Sequence, residues 1–185
     1  MRIAIIGAGT IGQLHAAAAE ATGQVVARVV DQDIQRCQAV ADRWGATPSA
    51  SVEDVWDDSS IDAVVVGVPN FLHLPMAVDA MRAGKDVLLE KPMAMNVAEC
   101  DELVGVAEET KRILQIGFVH RFTSVGMAAK KIADSGDLGE VFHARAHLLH
   151  RRGIPGLGGW FTTKAKSGGG CLIDVGVHVT DLLFY

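Results

Sequence analysis

IAIIGAGTIG, the run from Ile3 to Gly12, begins as an apolar strand and continues as a glycine-rich turn into a helix. Its β-branched residues predict a strand that is buried on both faces. Gly7 permits a tight turn, Gly9 lets a pyrophosphate approach the backbone, and Gly12 lets the helix pack against the strand. The free N–H groups and the positive dipole end of that helix favour an anion.

A second apolar strand is predicted over residues 25–30, and Asp31 follows it. An acidic residue about 20 positions after such glycines can accept hydrogen bonds from both hydroxyls of an adenosine ribose. The same carboxylate would repel a 2′-phosphate, which favours NAD over NADP. The alternative is a glycine turn without a ligand. That interpretation is the weaker one, because strand, turn, helix, second strand and acid occur here in the expected order and spacing.

Composition and charge narrow the class of protein. A chain of 185 residues, 49% of them hydrophobic, can bury a substantial core in more than one domain. The net charge of −5 argues against nucleic acid as the main partner. Cys37, Cys100 and Cys171 share no metal spacing and cannot all pair, so we expect a reducing, cytoplasmic location. The sequence shows neither a signal peptide nor an apolar run long enough to cross a membrane.

The first 120 residues alternate between strand and helix patterns. Further strands are predicted at residues 63–66, 86–89 and 113–116, and a loop at Pro48–Ser51. Helices are predicted at residues 10–22, 33–44, 51–56, 71–83 and 96–111. The candidate N-caps are Thr10, Ser51 and Asn96. This alternation predicts a doubly wound parallel sheet with right-handed crossovers, which is an α/β fold.

Several polar or turn-forming residues follow these strands directly. They are Gly7, Asp31, Pro69, Asn70 and the tripeptide Glu90-Lys91-Pro92. Because ligands bind at the carboxyl ends of parallel strands, these residues predict one common site.

The pattern changes after about residue 120. A helix over 122–133, a long strand over 139–150, a loop over 151–170 and an apolar helix over 171–185 are predicted. We therefore divide the chain into a dinucleotide-binding domain, residues 1–120, and a second domain, residues 121–185. One strand cannot form a sheet, so we expect the second part to be the beginning of an α+β domain that is truncated here.

Several motifs together resemble the Gfo/Idh/MocA oxidoreductase family, which includes glucose–fructose oxidoreductase and inositol dehydrogenase. They are the glycine turn, Asp31, Pro69-Asn70-x-x-His73, Gly84-Lys85-x-Val87-x-x-Glu90-Lys91-Pro92, Gln115-x-Gly117 with Arg121-Phe122, and Gly169-Gly170-x-Leu172-x-Asp174-x-Gly176-x-His178-x-x-Asp181. The resemblance implies an N-terminal Rossmann domain and the first part of a C-terminal domain that carries a large open sheet.

The resemblance also implies a reaction and a set of site residues. The reaction is hydride transfer between a nicotinamide and a hydroxyl-bearing carbon of a sugar, inositol or polyol. The implied cofactor contacts are Gly7, Gly9, Thr10, Ile11, Gly12, Asp31, Pro69, Asn70, His73, Glu90 and Lys91. The implied catalytic residues are Lys91, Asp174 and His178, and no metal is required.

The chemistry of Lys91 follows from what a dinucleotide lacks. NAD can carry the hydride, but a base must remove the hydroxyl proton. The resemblance gives Lys91 this role or a place in a proton relay, and the alternative is a surface lysine before a turn proline. We further expect a cis peptide bond before Pro92.

Asp174, His178 and Asp181 have the spacing of one helix face. His178 can exchange a proton near neutral pH, and Asp174 can bind a substrate hydroxyl or orient His178. The alternative is a solvated helix face with a structural histidine. On the predicted strand, His143 and His147 share a face from which His150 points away, which argues against a metal site and leaves a substrate or subunit contact for that face.

Three functions therefore compete. The leading one is an NAD-dependent dehydrogenase or reductase that acts on a small sugar or polyol and forms a homo-oligomer at full length. The alternatives are an NAD-dependent glycosidase of the same family and a nonenzymatic NAD-binding regulator. The presence of Lys91, Asp174 and His178 together argues against the regulator.

Overall fold

The computed structural model describes residues 1–149 and 158–185. The chain divides into two compact units, Met1–Ile116 and Gly117–Tyr185, here called the N-terminal unit and the C-terminal unit. Among the described residues, no helix combines the length and apolar character that a bilayer span requires.

The N-terminal unit contains one parallel sheet of six strands. The strands are β1 (Arg2–Ile6), β2 (Val25–Val30), β3 (Thr47–Ser49), β4 (Ala63–Val66), β5 (Asp86–Leu89) and β6 (Leu114–Ile116). They lie side by side in the order β3-β2-β1-β4-β5-β6. This is the strand order of the doubly wound Rossmann fold, so the predicted fold class is confirmed.

One strand was not predicted. Residues 48–51 were expected to form a loop, but Thr47–Ser49 pairs with β2 as the edge strand β3. Pro48 made a loop the expected structure, because proline lacks an N–H donor. It is tolerated in a strand only where one side of that strand forms no backbone hydrogen bonds with a neighbour. The sheet edge satisfies that condition.

Eight α-helices are seen in the described residues. They are α1 (Thr10–Ala21), α2 (Ile34–Trp44), α3 (Glu53–Trp56), α4 (His73–Arg82), α5 (Val97–Thr110), α6 (Ser124–Asp134), α7 (Lys164–Ser167) and α8 (Val177–Phe184). Residues 70–72 form a separate 3-10 turn, so the helix expected from residue 71 begins at His73.

The helices of the N-terminal unit cover both faces of the sheet. Ile3 and Ile5 of β1 pack into a cluster with residues of α1 and α2. Ala4 and Ile6 pack into a second cluster with residues of α4 and α5. Successive side chains of a strand point to opposite faces, which explains why β1 is apolar from Ile3 to Ile6. Truncating the fully buried Ile5 to alanine would cost about 2–5 kcal/mol of stability.

Polar caps define the helix ends. Asn96 accepts the backbone N–H of Glu99 at 3.0 Å, as predicted, and Glu99 in return accepts from the Asn96 side chain and the Met95 N–H. Thr10 was expected to cap α1. Instead, Gly9 occupies the N-cap position and Thr10 is the first helical residue, so the first N–H groups of α1 have no side-chain cap. Uncapped N–H groups at a helix start are suited to an anion.

All regular secondary structure in the described part of the C-terminal unit is helical. The strand expected over residues 139–150 is wrong. Residues 140–149 have no strand structure, and His150 lies outside the described residues. A strand needs a partner to satisfy its backbone groups, so the residue types alone did not suffice to predict one. The helix expected over 171–185 contains a π-helical turn, Leu172–Gly176, before α8.

Candidate active site

The strand order reverses between β1 and β4, and this reversal creates a crevice. The chain continues from β1 to α1 on one face of the sheet and from β4 to α4 on the other face. Such a switch point, at the carboxyl ends of the strands, is where doubly wound sheets bind ligands.

Two glycines of the turn after β1 are required by packing. A Cβ on Gly12 would lie 1.8 Å from the carbonyl oxygen of Gly7. A Cβ on Gly7 would lie 2.3 Å from the carbonyl oxygen of Gly67, and Gly7 also has a φ of +101°. In contrast, a Cβ on Gly9 would meet nothing within 4 Å. The backbone at Gly9 is therefore accessible, which fits a pyrophosphate above the start of α1.

Asp31 connects the end of β2 to the glycine turn. Its Oδ2 accepts the backbone N–H of Ala8 at 2.8 Å, and its Oδ1 accepts the N–H of Asp33 at 2.9 Å and the guanidinium of Arg36 at 2.7 Å. Burial raises the pKa of the Asp31 carboxyl, but these hydrogen bonds outweigh burial and leave the pKa below its ordinary value. Asp31 is therefore an ionised acceptor at neutral pH, as contact with a ribose hydroxyl requires.

Pro69, Asn70 and His73 follow β4. Asn70 is buried, and Pro69 precedes the 3-10 turn. The His73 ring is also buried, with Nδ1 2.7 Å from the Pro92 carbonyl oxygen and Nε2 3.0 Å from the Val68 carbonyl oxygen. Burial lowers the pKa of His73, although these two contacts oppose that effect. His73 therefore joins the segment after β4 to the segment after β5, and its contact with a cofactor remains a prediction.

Glu90, Lys91 and Pro92 follow β5. The Lys91–Pro92 peptide bond is cis, as predicted. Glu90 Oε1 lies 2.8 Å from His15 Nε2, and Oε2 accepts the backbone N–H of Lys91 at 3.2 Å. Burial raises the pKa of Glu90, but the hydrogen bond and charge of His15 outweigh burial and lower the pKa overall.

In the C-terminal unit, His178 and Asp181 of α8 both face the 3-10 helix Val119–Phe122. The ring of His178 stacks on the ring of His120, with centroids 4.4 Å apart and an interplanar angle of 10°. Both carboxylate oxygens of Asp181 accept hydrogen bonds from the guanidinium of Arg121. Asp181 therefore anchors α8, and this bidentate pairing raises the pKa of Arg121.

The structure thus gathers the predicted residues of the N-terminal unit. The glycine turn, Asp31 and the segments after β4 and β5 meet at one edge of the sheet. Lys91 belongs to the N-terminal unit, whereas Asp174 and His178 belong to the C-terminal unit. Joint action of these three residues remains a prediction.

Three histidines had suggested a metal site at first sight. His143 and His147 are exposed and lie outside any strand, so the shared strand face expected for them is wrong, and His150 lies outside the described residues. Within residues 1–149 and 158–185, the histidines, cysteines and carboxylates form no cluster that could hold a metal ion.

Sequence reasoning missed His15 and Arg36. A signal for His15 existed, because the buried residues Gly12, Ala16 and Ala19 place it beside the sheet-facing stripe of α1. Arg36 lies in the first turn of α2, after the N-cap Asp33, which turns its side chain towards the end of β2.

Family models match both parts of the chain. A model described as an oxidoreductase family with an NAD-binding Rossmann fold matches residues 1–118, and a model of the GFO/IDH/MocA C-terminal domain matches residues 127–185. D-glucoside 3-dehydrogenase of Escherichia coli K12 is 34% identical over 194 residues, which covers 100% of this chain and 53% of that protein. Inositol 2-dehydrogenase 3 of Saccharopolyspora erythraea is 34% identical over 154 residues, which covers 82% and 45% respectively.

Solved structures are also similar. An NAD-binding protein from Listeria innocua has a TM-score of 0.88 and 31% identity over 98% of this chain and 53% of its own. GenD2 from gentamicin A biosynthesis, crystallised with NAD, has a TM-score of 0.86 and 26% identity over 98% of this chain and 52% of its own. The present chain spans about half the length of the relatives it matches.

Proposed function

We propose a function from one premise: this chain belongs to the Gfo/Idh/MocA family of oxidoreductases, and its first part is an NAD-binding Rossmann domain. The whole protein transfers a hydride between NAD and a hydroxyl-bearing carbon of a sugar, inositol or related polyol. Relatives named for a glucoside and for inositol support this substrate class.

The arrangement at the carboxyl edge of the sheet carries the proposal. The glycine turn after β1 offers an accessible backbone at Gly9, and Asp31 after β2 offers an ionised acceptor. Lys91 follows β5 at the same edge, beyond the switch point. The start of α1 would hold the pyrophosphate of the dinucleotide, Asp31 would hold its adenosine ribose, and the segments after β4 and β5 would border the nicotinamide.

NAD supplies the hydride acceptor when it is bound. The Lys91 amine, in its neutral form, accepts the hydroxyl proton of the substrate, because hydride loss from an alcohol requires a base. Asp174 hydrogen-bonds a substrate hydroxyl, and His178 passes the proton onward or holds the same hydroxyl. Asp181 contributes indirectly, since its bond to Arg121 fixes the helix that carries His178.

Lys91→Ala tests the central role. With the full-length protein, NAD and a panel of sugars, inositols and polyols, kcat is expected to fall by about 10²–10⁴-fold, as for loss of a general base. The dissociation constant for NAD is expected to change little. Lys131→Ala is the matched control, because Lys131 is an exposed lysine of α6.

Full turnover in Lys91→Ala would refute the role of Lys91. Two other outcomes would favour a different function. NAD binding without any reduction on the whole panel would favour a regulator, and cleavage of a glycoside without net reduction of NAD would favour a glycosidase.

A further inference from the structure

The segment that carries Lys91 is held by a histidine from the cofactor helix. Nε2 of His15, on α1, lies 2.8 Å from Oε1 of Glu90. The two side chains are only 16% and 15% exposed. Hydrogen bonds that involve a charged group and are shielded from water are among the stronger ones in proteins.

The direction of the hydrogen bonds follows from the chemistry of Glu90. Its carboxylate only accepts when ionised, so Nε2 of His15 carries the hydrogen and donates. The other oxygen, Oε2, accepts the backbone N–H of Lys91. One carboxylate thus links the His15 side chain to the main chain of Lys91, immediately before Pro92.

The same helix begins at the glycine turn. α1 starts at Thr10, directly after the accessible backbone of Gly9, and His15 lies little more than one turn further on. The path from the pyrophosphate position to Lys91 therefore runs through one rigid helix, one side-chain hydrogen bond and one backbone hydrogen bond.

We propose that His15 is a positioning residue that fixes the Lys91 segment to the helix that binds the pyrophosphate. The proposal rests on the proposed function, in which Lys91 is the base. His15 touches neither the substrate nor the nicotinamide in this account, and it acts through Glu90. Its loss loosens Lys91 while the cofactor cradle at Gly9 stays intact.

His73 holds the other end of the segment. Its ring lies against the carbonyl oxygen of Pro92 and that of Val68, so it acts on the main chain after Lys91. Loss of His15 alone therefore leaves Pro92 in place and frees the Glu90 side. We therefore expect the Lys91 segment to become partly more mobile while the crevice keeps its structure.

Chemical labelling of Lys91 tests the proposal without requiring turnover. The wild-type protein, His15→Leu and His15→Gln are acetylated briefly with acetic anhydride, and the modification of each lysine is measured by mass spectrometry. In His15→Leu, we expect Lys91 to react at least about threefold faster, because a charged hydrogen bond that restrains its segment is lost. His15→Gln retains an N–H donor and is expected to restore most of the protection.

Two references control for loss of fold. Nζ of Lys85 donates to the carbonyl oxygens of Asp58 and Ile61 and is buried, so its slow labelling reports an intact sheet. Leu14→Gln changes the exposed neighbour of His15 on α1 and is expected to label like the wild type. Unchanged Lys91 labelling in His15→Leu would overturn the proposal, and so would equal labelling in His15→Gln and His15→Leu.

Kinetics of the full-length protein separate this inference from the proposed function. His15→Leu is expected to lower kcat about tenfold or more, with the dissociation constant for NAD unchanged, because misplacement of a catalytic group acts on the chemical step. If labelling behaves as expected but no substrate reduces NAD, the positioning by His15 stands and the dehydrogenase proposal fails. If the wild type reduces NAD but Lys91 labelling is the same with and without His15, the dehydrogenase proposal stands and the positioning by His15 fails.

Discussion

Replacing Asp31 with serine is expected to weaken NAD binding and shift the preference towards NADP. The carboxylate accepts three hydrogen bonds from the protein, from Ala8, Asp33 and Arg36. An ionised carboxylate has about four acceptor positions, so about one is left for a ribose hydroxyl.

The magnitude follows from that count. A hydrogen bond to a charged group contributes about 1.5–3 kcal/mol, so its loss weakens NAD binding about 10–150-fold. The substitution also removes the negative charge that repels a 2′-phosphate. Arg36 then retains its longer contact with Asp33, at 3.8 Å, and its guanidinium becomes available to that phosphate. The ratio of NADP to NAD affinity is therefore expected to rise by at least the factor lost for NAD.

Isothermal titration calorimetry with NAD and with NADP measures both affinities in the wild type and in Asp31→Ser. Asp42→Ser is the matched control, because Asp42 is an exposed carboxylate of α2. Thermal unfolding of each variant measures how much stability is lost with the hydrogen bonds that Asp31 accepts from Ala8 and Arg36. Unchanged NAD affinity in a folded Asp31→Ser protein would refute the reasoning, and so would equal losses for NAD and NADP.

Three further perturbations address the fold and the site. Gly12→Ala is expected to lower Tm and abolish NAD binding in calorimetry, because the new Cβ would lie 1.8 Å from the Gly7 carbonyl oxygen; retained affinity would contradict this close packing. The lowered pKa of Glu90 means that its ionised form stabilises the fold, fully above its ordinary value of 4.5 and less as pH falls below that value. Glu90→Gln should therefore flatten the pH dependence of unfolding in urea across that range, and an unchanged profile would count against it. In thiol titration with Ellman's reagent, the exposed Cys171 should react at once, and the fully buried Cys37 should react only on unfolding; simultaneous reaction would contradict the burial.

Much of the N-terminal unit could be predicted because each of its requirements is local. The buried strand, the glycine turn and the acid after β2 each reflect a constraint on a few adjacent residues. The cis bond before Pro92 was also predicted, since cis peptide bonds occur mainly before proline.

Predictions failed where the deciding contact is distant in sequence. Pro48 belongs to a strand only because β2 lies beside it at the sheet edge. A strand was predicted over residues 139–150, but none of the described residues 139–149 pairs with a partner strand. Propensity for a strand depends strongly on the neighbours that the fold supplies.

The sequence alone determined the glycine turn and the sign of the charge at Asp31, because glycines and carboxylates have those properties wherever they occur. Only the tertiary structure decided which distant side chains hold the residues of the candidate site in place. His15 meets Glu90 across 75 residues of chain, because the strand order places α1 beside the end of β5. Contacts of this kind depend on how the strands are ordered in space, and no short stretch of sequence specifies that order.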